Sequence, residues 1–411
     1  MNRAIYTRQY YLDKIKGFYK SDLIKVITGI RRCGKSCFLI SVMNDLEANG
    51  ILPKDIININ LDKRGYRGVK TPSELEKVID EKILDDDFKY IFIDEIQNVH
   101  GFEEVVNAFR EEGNCSIFIT GSNSYLLSGE LATKLTGRYV EVEMFPLNFH
   151  EFIEMKRFLN KDISENRMQE FAEYIRFGGF PKTLEFDSSE DKNMYVENVI
   201  KQIFEKDIKK HRRIRNKSVF EKVMNYLINN FGATTSLNNL LEYFHKEEKI
   251  PIRVETLNSY IQILENAKIL YKCPRFDVKS KRSLRGEQKY YLADLSIYFS
   301  RNVDARINYG PVLENILYTY LKAKNYQVSV GRIGKLECDF IARKNADYQY
   351  LQVAMTIMDE KTEEREYKPF KYIRDNYPKY LFSMDSLIQK RDGILHKNIV
   401  NFMADNQELQ L

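Results

Sequence analysis

The sequence predicts an α/β protein whose N-terminal part is a parallel sheet covered by helices on both faces. Two observations lead to this fold class. Over residues 1–145, short apolar runs rich in β-branched residues alternate with segments of helical apolar spacing, an order typical of parallel sheets. A glycine-bearing segment, residues 29–36, separates the first predicted strand from the first long predicted helix.

Length and composition indicate how many domains to expect and in which environment the protein works. With 411 residues, the chain is long enough for about two to four domains. The formal net charge is only +5, so local clusters of charge are more informative than the total. The five cysteines form no Cys-x-x-Cys pair, which is typical of reduced thiols inside cells. No apolar run reaches membrane-spanning length, so we expect a soluble cytoplasmic protein with no membrane partner.

The N-terminal segment, residues 1–145, is predicted to contain a sheet of short apolar strands. Helices are predicted between them at residues 36–49 and 73–84, and Thr71-Pro72-Ser73 is a typical helix start. The strands are predicted at residues 23–28, 56–61, 90–93 and 116–120.

Three further segments follow at shifts in composition. Residues 146–205 are predicted to be helical, with one long helix at 190–211. Residues 206–300 are predicted to form three helices and a β-hairpin, the element order of a winged helix, and residues 301–411 a small mixed α/β domain. Their helices are predicted at 219–230, 237–245, 254–267, 312–324 and 363–376, and their strands at 269–273, 289–292, 327–330, 335–342, 348–354 and 379–383.

Residues 29–36 follow the pattern Gly-x-x-x-x-Gly-Lys-Ser, the Walker A motif of phosphate-binding loops. The glycines allow the backbone to approach phosphates, which bind to the amides of the loop and of the next helix. We expect Lys35 to reach the β- and γ-phosphates of ATP and Ser36 to ligate Mg²⁺. Arg31 and Arg32 either balance phosphate charge or face solvent. The predicted nucleotide-binding residues are Gly29, Ile30, Arg31, Arg32, Cys33, Gly34, Lys35, Ser36 and Cys37.

Two acids, Asp94 and Glu95, end a predicted buried strand, which is the Walker B pattern. We expect Asp94 to hold Mg²⁺, directly or through water, and Glu95 to orient and activate the attacking water. An acid placed directly after the magnesium ligand favours hydrolysis over passive nucleotide binding.

Two more catalytic positions are predicted. The strand at 116–120 leads into Gly121, Ser122 and Asn123. A polar side chain here would sense the γ-phosphate: Asn123 or Ser122 first, with Thr120 behind them. The alternative is a simple turn. Arg138 is either an arginine finger for a neighbouring subunit's nucleotide or a surface or structural arginine.

With these motifs, the chain resembles the AAA+ superfamily. More narrowly, it resembles the prokaryotic AAA+ ATPases that end in a nuclease-like domain. The resemblance implies a P-loop AAA+ core at 1–145 with a parallel sheet, a helical lid at 146–205, and homo-oligomers with nucleotide between subunits. It is carried by residues 27–36, 93–97 and 119–122, by Gly137-Arg138, by Pro146-Leu147 with Glu151-Phe152, and by Gly178-Gly179-Phe180-Pro181.

Basic residues cluster before the predicted winged helix, at residues 206–217, and between its presumed wing strands. A basic wing beside a helix-turn-helix is where contacts with DNA phosphates are expected. The alternatives are solvated basic surfaces, or a winged helix that docks protein partners. The predicted DNA-binding residues are Lys209, Lys210, Arg212, Arg213, Arg215, Lys281, Arg282 and Arg285.

Residues 311–356 resemble the core of PD-(D/E)XK nucleases. Glu314 lies on a predicted helix, and Glu337 and Asp339 alternate along one strand, so they share a face. Gln352 stands where the resemblance implies the last acid, and Ala354 where it implies the lysine. We therefore expect an inactive nuclease fold in the C-terminal domain, whose three acids can still bind a metal ion weakly.

The first functional hypothesis is an oligomeric, Mg²⁺-dependent ATPase that couples hydrolysis to DNA binding or remodelling. The alternative is a nucleotide-gated regulatory switch that docks protein partners through its winged-helix and C-terminal domains. A third, weaker hypothesis is an ATP-dependent nuclease. DNA-stimulated ATP hydrolysis separates the first hypothesis from the second.

Overall fold

A computed structural model of the chain describes residues 4–121, 135–208, 214, 216–302 and 308–410. The chain divides into two compact units, Met1–Phe145 and Pro146–Leu411. Among the described residues, no helix is both long enough and apolar enough to cross a membrane.

The N-terminal unit is built on a five-stranded sheet. Its strands are β1 (Ile24–Thr28), β2 (Ile56–Asn60), β3 (Lys89–Asp94), β4 (Cys115–Thr120) and β5 (Tyr139–Glu143), and its helices are α1 (Gln9–Lys16), α2 (Lys35–Ala48), α3 (Pro72–Asp80) and α4 (Phe102–Glu112). The strand order is β2-β3-β4-β1-β5, and all neighbouring pairs are parallel. Every residue of β1 and β3 is buried, as in central strands of a sheet covered on both faces. The predicted parallel α/β fold is confirmed.

Three strand ends position the site described below. Because β1, β3 and β4 are parallel neighbours, their last residues, Thr28, Asp94 and Thr120, lie at the same edge of the sheet. The edge strand β5 and the helix α4 were not predicted. The start signal at α3 is confirmed as a capping box, in which Thr71 and Glu74 bond each other's backbone amides.

The C-terminal unit combines helices with an eight-stranded sheet. The strand order is β12-β13-β11-β10-β9-β8-β6-β7. Its helices are α5 (Phe149–Phe158), α6 (Arg167–Phe177), α7 (Ser189–Gln202), α8 (Lys217–Asn229), α9 (Leu237–Lys246), α10 (Val254–Asn266), α11 (Ser296–Phe299), α12 (Tyr309–Ala323), α13 (Glu360–Tyr367) and α14 (Ile399–Ala404). Its strands are β6 (Leu270–Asp277), β7 (Arg282–Leu292), β8 (Gln327–Ile333), β9 (Leu336–Lys344), β10 (Asp347–Val353), β11 (Lys379–Ser383), β12 (Lys390–Arg391) and β13 (Ile394–Asn398).

The predicted hairpin is longer than its sequence pattern indicates. The β6–β7 ladder runs as far as the pair Asp277 and Arg282, so the basic segment expected to be a loop is largely strand. In addition, β6 pairs in parallel with β8, which joins the hairpin to the C-terminal strands in one sheet. The expected boundary at residue 300 therefore does not separate two sheets, because hydrogen bonds cross it.

Two predicted helices end early. The helix expected at 190–211 becomes α7 followed by a π-helical turn at Ile203–Ile208, and its last three positions lie outside the described residues. The helix expected at 363–376 is α13, which ends at Tyr367, and a 3-10 turn follows at Pro369–Tyr372. Pro369 lacks the amide proton that an α-helical bond requires, so the helix cannot continue regularly.

Candidate functional site

The loop between β1 and α2 has a backbone that glycine permits. Gly29 and Gly34 have φ angles of 138° and 107°, and Arg32 has a φ angle of 72°. A Cβ atom at residue 29 would lie 2.2 Å from the carbonyl oxygen of Met144. Gly29 is therefore required both by its φ angle and by the close approach of the segment after β5.

Lys35 is the first residue of α2 and is buried. Its Nζ donates hydrogen bonds to the carbonyl oxygens of Gly29 and Ile30 at 2.9 and 3.1 Å. The ammonium group thus lies inside the curve of the loop. Ser36 and Cys37 follow in the first helical turn with exposed side chains. Amides of a first helical turn have no partner within the helix and attract anions.

Among the other residues of the loop, some side chains are buried and one is exposed. Ile30 and Cys33 are fully buried and anchor the loop in the core. Arg31 is also buried, whereas Arg32 is exposed. The positive charge of Arg31 acts on the carboxyl group of Glu95, so this arginine contributes to the electrostatics of the site.

Arg8 connects the loop to Phe145, which Tyr11 also bonds, and neither residue was predicted to support the site. Arg8 is buried, and its Nη1 donates to the carbonyl oxygens of Cys33 at 3.3 Å and Phe145 at 2.6 Å. The Tyr11 hydroxyl accepts a hydrogen bond from the Phe145 amide at 3.1 Å. These bonds tie the loop to the end of the N-terminal unit. A single arginine before a helix carries no sequence signal for such a role.

Asp94, at the end of β3, is buried and fixed by two side chains. Its Oδ1 accepts a hydrogen bond from Thr120 Oγ1 at 2.5 Å, and its Oδ2 accepts one from Asn60 Nδ2 at 2.6 Å. Asn60 ends β2 directly opposite Asp94 in the ladder. Asn60 was not predicted, although its position at a strand end beside the Walker B strand was a usable signal.

Glu95 follows with a positive φ angle of 60°. Its amide donates to Thr120 Oγ1 at 3.0 Å, and its Oε2 accepts from Gln97 Nε2 at 2.5 Å. Burial raises the pKa of Glu95, and the negative charge of Asp94 adds to this rise. The positive charges of Lys35 and Arg31 lower the same pKa but do not outweigh burial. The net pKa lies above the ordinary value of a glutamate, which makes its carboxylate a better proton acceptor.

Thr120 therefore has a different position from the one expected of a phosphate sensor. Its side chain is fully buried, and its hydroxyl bonds both Asp94 and Glu95. It orients the two acids of the site. Ser122 and Asn123, the other expected sensors, lie outside the described residues.

Arg138 lies at the opposite end of β1 from the loop. Its carbonyl oxygen accepts a hydrogen bond from the amide of Ile24, the first residue of β1. At ~3.3 Å per residue, the length of β1 puts about 16 Å between this point and the start of the loop at Gly29. The Arg138 side chain is 42% exposed, with Nη1 3.6 Å from Glu111 Oε1. It is directed to the surface, away from the loop of its own subunit.

Comparison with known proteins identifies the N-terminal unit. Residues 21–153 match the family model of an AAA domain, and residues 168–304 match a domain of unknown function, DUF8612. The chain is 35% identical to an uncharacterized protein of Haemophilus influenzae, over 93% of this chain and 94% of that protein. It is 30% identical to the uncharacterized protein MJ1544 of Methanocaldococcus jannaschii, over 86% and 79% respectively.

The chain belongs to the family of these two proteins, and its residues 21–153 are an AAA domain. The fold agrees with a solved structure, the Walker-type ATPase PABY2304 of Pyrococcus abyssi. The TM-score is 0.51 with 16% sequence identity, and the likeness covers 73% of this chain and 98% of that chain.

The donor groups of the site in the AAA domain fit a magnesium nucleotide. The loop amides and the Lys35 ammonium are suited to phosphate oxygens. The Ser36 hydroxyl and the Asp94 carboxylate are oxygen donors, the type of ligand that Mg²⁺ prefers. Asp94 already has hydrogen bonds to both carboxylate oxygens, so its orientation is set by the protein.

A second polar cluster lies in the C-terminal unit, where the nuclease resemblance placed its acids. Lys289 of β7 is buried, and its Nζ lies 2.9 Å from Glu314 Oε2 and 3.0 Å from Glu337 Oε1. Tyr291 also donates to Glu314 Oε2, at 2.7 Å. Arg275 Nη2 donates to the second carboxylate oxygen of Glu337 at 2.7 Å. Cations of the hairpin therefore neutralise these acids.

The charges of this cluster depend on one another. Burial would lower the pKa of Lys289, but Glu314, Asp339 and Glu337 outweigh it and raise that pKa. Burial and Glu314 raise the pKa of Asp339 well above its ordinary value. Asp339 Oδ2 accepts from the Val353 amide at 2.8 Å. Lys289 is therefore the cation that balances the charge of these buried acids.

Gln352 stabilises the same cluster from β10. Its Oε1 accepts from the Asp339 amide at 2.7 Å, and its Nε2 donates to Glu366 Oε2 at 2.8 Å. An acid at residue 352 could not donate to Glu366 in its ionised form. The glutamine is therefore suited to connect the Asp339 amide with the Glu366 carboxylate.

Of the eight residues expected to bind DNA, the structure describes the side chains of Lys281 and Arg282. Lys281 Nζ lies 3.0 Å from Asp375 Oδ2 and 3.0 Å from the Tyr350 hydroxyl, so its charge is matched inside the unit. Arg282 is exposed at the start of β7. Outside the described part lie the side chain of Arg285 and the residues Lys209, Lys210, Arg212, Arg213 and Arg215.

The segment Gly178-Gly179-Phe180-Pro181 has a packing role. A Cβ atom at Gly178 would lie 1.8 Å from Asp294 Oδ1, and one at Gly179 would lie 2.1 Å from the carbonyl oxygen of Leu147. Asp294 Oδ2 accepts from the Gly179 amide at 2.7 Å. Burial raises the pKa of Asp294 to about 6. The motif therefore permits two close contacts.

A group of acids in the N-terminal unit was also not predicted. Asp55, Asp85 and Asp87 have carboxylate oxygens close enough to share a metal ion. However, Lys89 bonds Asp55 and Asp85, and Lys54 bonds Asp85 and Asp87. Lysine ammonium groups therefore neutralise this cluster.

Proposed function

We propose that the chain is a Mg²⁺-dependent AAA+ ATPase that acts as a homo-oligomer and couples ATP hydrolysis to DNA binding or remodelling. The observation that carries the proposal is the pair Asp94 and Glu95, both fixed by Thr120 at the sheet edge where the phosphate-binding loop begins. A site that only bound nucleotide would not need a second, oriented carboxylate there.

Nucleotide binding uses the loop. Its amides and the first turn of α2 hold the phosphates, and Lys35 contributes its positive charge to the β- and γ-phosphates. Ser36 and Asp94 hold Mg²⁺, which neutralises charge on the phosphate oxygens. The buried Arg31 adds a further cation near the reacting group.

Hydrolysis uses Glu95. Its carboxylate orients a water molecule and accepts its proton, and a raised pKa increases its basicity. The positive φ angle of Glu95 and the hydrogen bond from its backbone amide to the Thr120 hydroxyl set the direction of this side chain. The group is therefore positioned before substrate binds, which lowers the cost of alignment.

Oligomer formation would complete the site. Arg138 is too far from the loop of its own subunit, and its side chain is partly exposed. In a ring or filament, the same arginine can reach the γ-phosphate of a neighbouring subunit. It would there stabilise the charge that develops during phosphoryl transfer.

A DNA-binding role is supported by the arrangement of α8, α9, α10 and the β6–β7 hairpin. Thr235, between α8 and α9, bridges to Gln288 of the hairpin by two backbone bonds of 2.8 and 2.9 Å. Three helices before a hairpin, with a bridge from the segment between the first two helices to that hairpin, agree with the topology of a winged helix. We therefore retain the winged-helix assignment and DNA as the partner.

Nuclease activity is the least supported alternative. Lys289 lies between Glu314 and Glu337, where a metal ion would have to bind. The acids that a nuclease would use are thereby neutralised by a protein cation. We propose that the C-terminal sheet is an inactive nuclease-like fold with a binding role.

The regulatory switch remains the second candidate because of exposed apolar side chains in the C-terminal unit. They occur on two loops that Asp385 connects through hydrogen bonds to Thr356 Oγ1 and the Ile357 amide, at 2.6 and 2.9 Å. Such residues favour protein contacts over DNA contacts. They are Met355, Met358, Leu387 and Ile388.

The ATPase rate of the full chain with Mg²⁺, in the presence and absence of single-stranded, duplex and junction DNA, tests the proposal. Size in solution is measured on the same samples. We expect hydrolysis that DNA stimulates, and an assembly larger than one chain. Lys35→Ala controls for contaminating ATPases. Hydrolysis that responds to none of the three DNAs would favour the switch, and no hydrolysis above the Lys35→Ala level would reject the ATPase.

A further inference from the structure

The C-terminal unit contains a groove bounded by three chain segments. They are the β6–β7 turn, the β8–β9 turn, and the segment after α13. The groove has a volume of about 840 Å³, within the range of roughly 300–1,000 Å³ typical of ligand sites. Lys279, Lys335, Lys368, Tyr372, Arg374 and Asp375 are among its lining residues.

The floor of the groove is apolar and firmly packed. Val278 and Ile373 are buried members of the hydrophobic core of this sheet, and Ile333 packs against that core. The Val278 amide donates to the carbonyl oxygen of Arg332 at 2.9 Å, which fixes the β6–β7 turn to β8. The floor is therefore a preformed surface that a flat apolar group can contact.

The rim of the groove is strongly positive. Lys279, Lys335, Lys368 and Arg374 are exposed and come from all three segments. In the part of the chain that the structure describes, none of these four cations has a carboxylate within 4.0 Å. Such convergence of unmatched positive charge is the footprint of a polyanion site.

The one acid of the lining, Asp375, does not offset this charge. Its Oδ2 accepts hydrogen bonds from Tyr350 Oη at 2.6 Å and from Lys281 Nζ at 3.0 Å. Lys281 itself lies over the Tyr348 ring, 4.7 Å from the ring centre. Asp375 and Lys281 therefore form a neutral pair that leaves the four rim cations available.

An exposed aromatic ring completes the groove. Tyr372 is 58% exposed and ends the 3-10 turn Pro369–Tyr372, two residues before Arg374. Single-stranded nucleic acids bind to grooves that combine cations for the backbone with aromatic rings on which bases stack. An acidic peptide would match the charges but would make no specific use of an exposed ring.

We propose that this groove binds a single-stranded polynucleotide, with phosphates on the rim cations and bases against Tyr372 and the apolar floor. The inference rests on the proposed function, since it names the form of nucleic acid and the surface that contacts it. It extends the contact from the β6–β7 hairpin, where the sequence pattern placed it, to the β8–β9 turn and the segment after α13.

The test is equilibrium binding of fluorescent dT15 and rU15 to the full chain, measured by anisotropy over a range of salt concentrations. The groove variant carries Lys279→Gln, Lys335→Gln and Lys368→Gln. Its matched control carries Lys182→Gln, Lys201→Gln and Lys361→Gln, three exposed lysines of the same unit outside the groove. The dT15 and rU15 arms separate DNA from RNA as the source of the strand.

We expect the affinity of the groove variant for dT15 to fall at least ten-fold. The slope of log affinity against log salt concentration should become shallower by about two, since each of the three lost phosphate contacts contributes ~0.7. The control variant should keep wild-type affinity. Tyr372→Ala should weaken binding by about ten-fold, and Tyr372→Phe, which keeps the ring, should not.

Equal affinities of the groove and control variants for dT15 would overturn the groove assignment and leave the proposed ATPase intact. So would displacement of dT15 by polyglutamate of equal charge, because that outcome indicates a general polyanion or acidic-peptide surface. If the wild-type chain binds neither single strand, the groove assignment is wrong. Stimulation of its ATPase by duplex DNA then decides the proposed function separately.

Discussion

The Thr120 hydroxyl donates a hydrogen bond to Asp94 Oδ1 at 2.5 Å, and it accepts one from the Glu95 amide at 3.0 Å. One buried side chain from β4 thereby orients both acids at the end of β3. A hydroxyl can serve both acids because it donates one bond and accepts others. The site thus depends on a residue that contacts neither phosphate nor metal in the proposed mechanism.

Replacing Thr120 by valine should slow ATP hydrolysis without unfolding the chain. Valine has nearly the same shape but can neither donate to Asp94 nor accept from Glu95. We expect kcat to fall by roughly ten- to a hundred-fold, since small displacements of catalytic groups have effects of that size. Thr120→Ser, which keeps the hydroxyl, should retain most activity. A Thr120→Val protein with wild-type kcat and wild-type Mg²⁺ dependence would contradict this role.

Replacing Glu95 by glutamine should block hydrolysis and preserve ATP binding. The amide keeps the size of the side chain but cannot accept a proton from water, so we expect the rate to fall by roughly 10²- to 10⁴-fold. ATPase assays and nucleotide retention on the purified protein measure the two effects. Glu76→Gln, at an exposed position of α3, is the matched control. Normal turnover by the Glu95→Gln chain would mean that another group is the base.

Local patterns predicted much of the core. Strands β1, β3 and β4 are apolar runs, which predict buried strands. The Gly-x-x-x-x-Gly-Lys-Ser spacing of residues 29–36 is typical of phosphate-binding loops, so this loop was also apparent in the sequence. Strand β5 was missed because its residues include Glu141 and Glu143, and acids are uncommon in strands. It forms because it is an edge strand, half-exposed, that pairs with β1 alone.

Long-range contacts could not be predicted in the same way. The bond from Asn60 to Asp94 spans 34 residues, and that from Arg8 to the Phe145 carbonyl spans 137. Neither has a local pattern, since both depend on how strands and loops meet in space. The hairpin was underestimated for the same reason: its outer half is stabilised by pairing with β8, a strand about 50 residues away in the sequence.

Replacing Arg138 by alanine should reduce hydrolysis only where subunits assemble. If the residue acts as an arginine finger in trans, we expect the rate to fall by a factor of roughly 10³. Arg67→Ala, at an exposed position of the same unit, should have little effect.

Mixing the Arg138→Ala and Glu95→Gln proteins distinguishes action in trans from action in cis. Each protein alone lacks one half of the site. In mixed assemblies, an Arg138→Ala subunit keeps its Glu95 and receives Arg138 from a Glu95→Gln neighbour. We expect part of the activity to return after subunit exchange. Absence of any recovery from subunits shown to exchange would reject the trans role.

The pKa of Asp294 predicts a pH-dependent contribution to stability. Burial raises this pKa from 3.8 to about 6, so the folded chain holds the proton to a higher pH than the unfolded chain does. The contribution is present below about pH 4 and is lost as pH rises through 6. Between pH 5 and 7.5, we expect this group to lower the free energy of unfolding by about 1–2 kcal/mol.

Asp294→Asn isolates that contribution. Asparagine does not titrate, and its amide group cannot accept from both the Gly179 and Ser296 amides, which Asp294 now bonds. The variant should be less stable than wild type at pH 5, and the gap should narrow at pH 7.5. Urea unfolding at both pH values measures it, with the exposed Asp162→Asn as control. A gap that stays constant with pH would show that Asp294 does not titrate in this range.

Replacing Lys289 by methionine should expose the acids of the C-terminal sheet. Removal of one partner of a buried ion pair typically costs about 3–5 kcal/mol, because the other charge is left without compensation. We expect a loss of this order in the free energy of unfolding, measured on the full chain. The isolated segment 301–411 is unsuitable for this test, because it lacks β6 and β7 and with them Lys289 itself.

Divalent metal then separates the two interpretations of the cluster. If Lys289 occupies the position of a metal ion, Mn²⁺ should raise the unfolding temperature of Lys289→Met and leave that of the wild-type chain unchanged. Adding Glu314→Gln to Lys289→Met should remove the response to Mn²⁺ and restore part of the lost stability, since one unmatched charge is gone. Stabilisation of the wild-type chain by Mn²⁺, together with Mn²⁺-dependent cleavage of DNA that Asp339→Ala abolishes, would instead mean that the acids bind metal beside Lys289. The lysine would then act as the cation of a working nuclease, a role that the sequence alone assigned to residue 354.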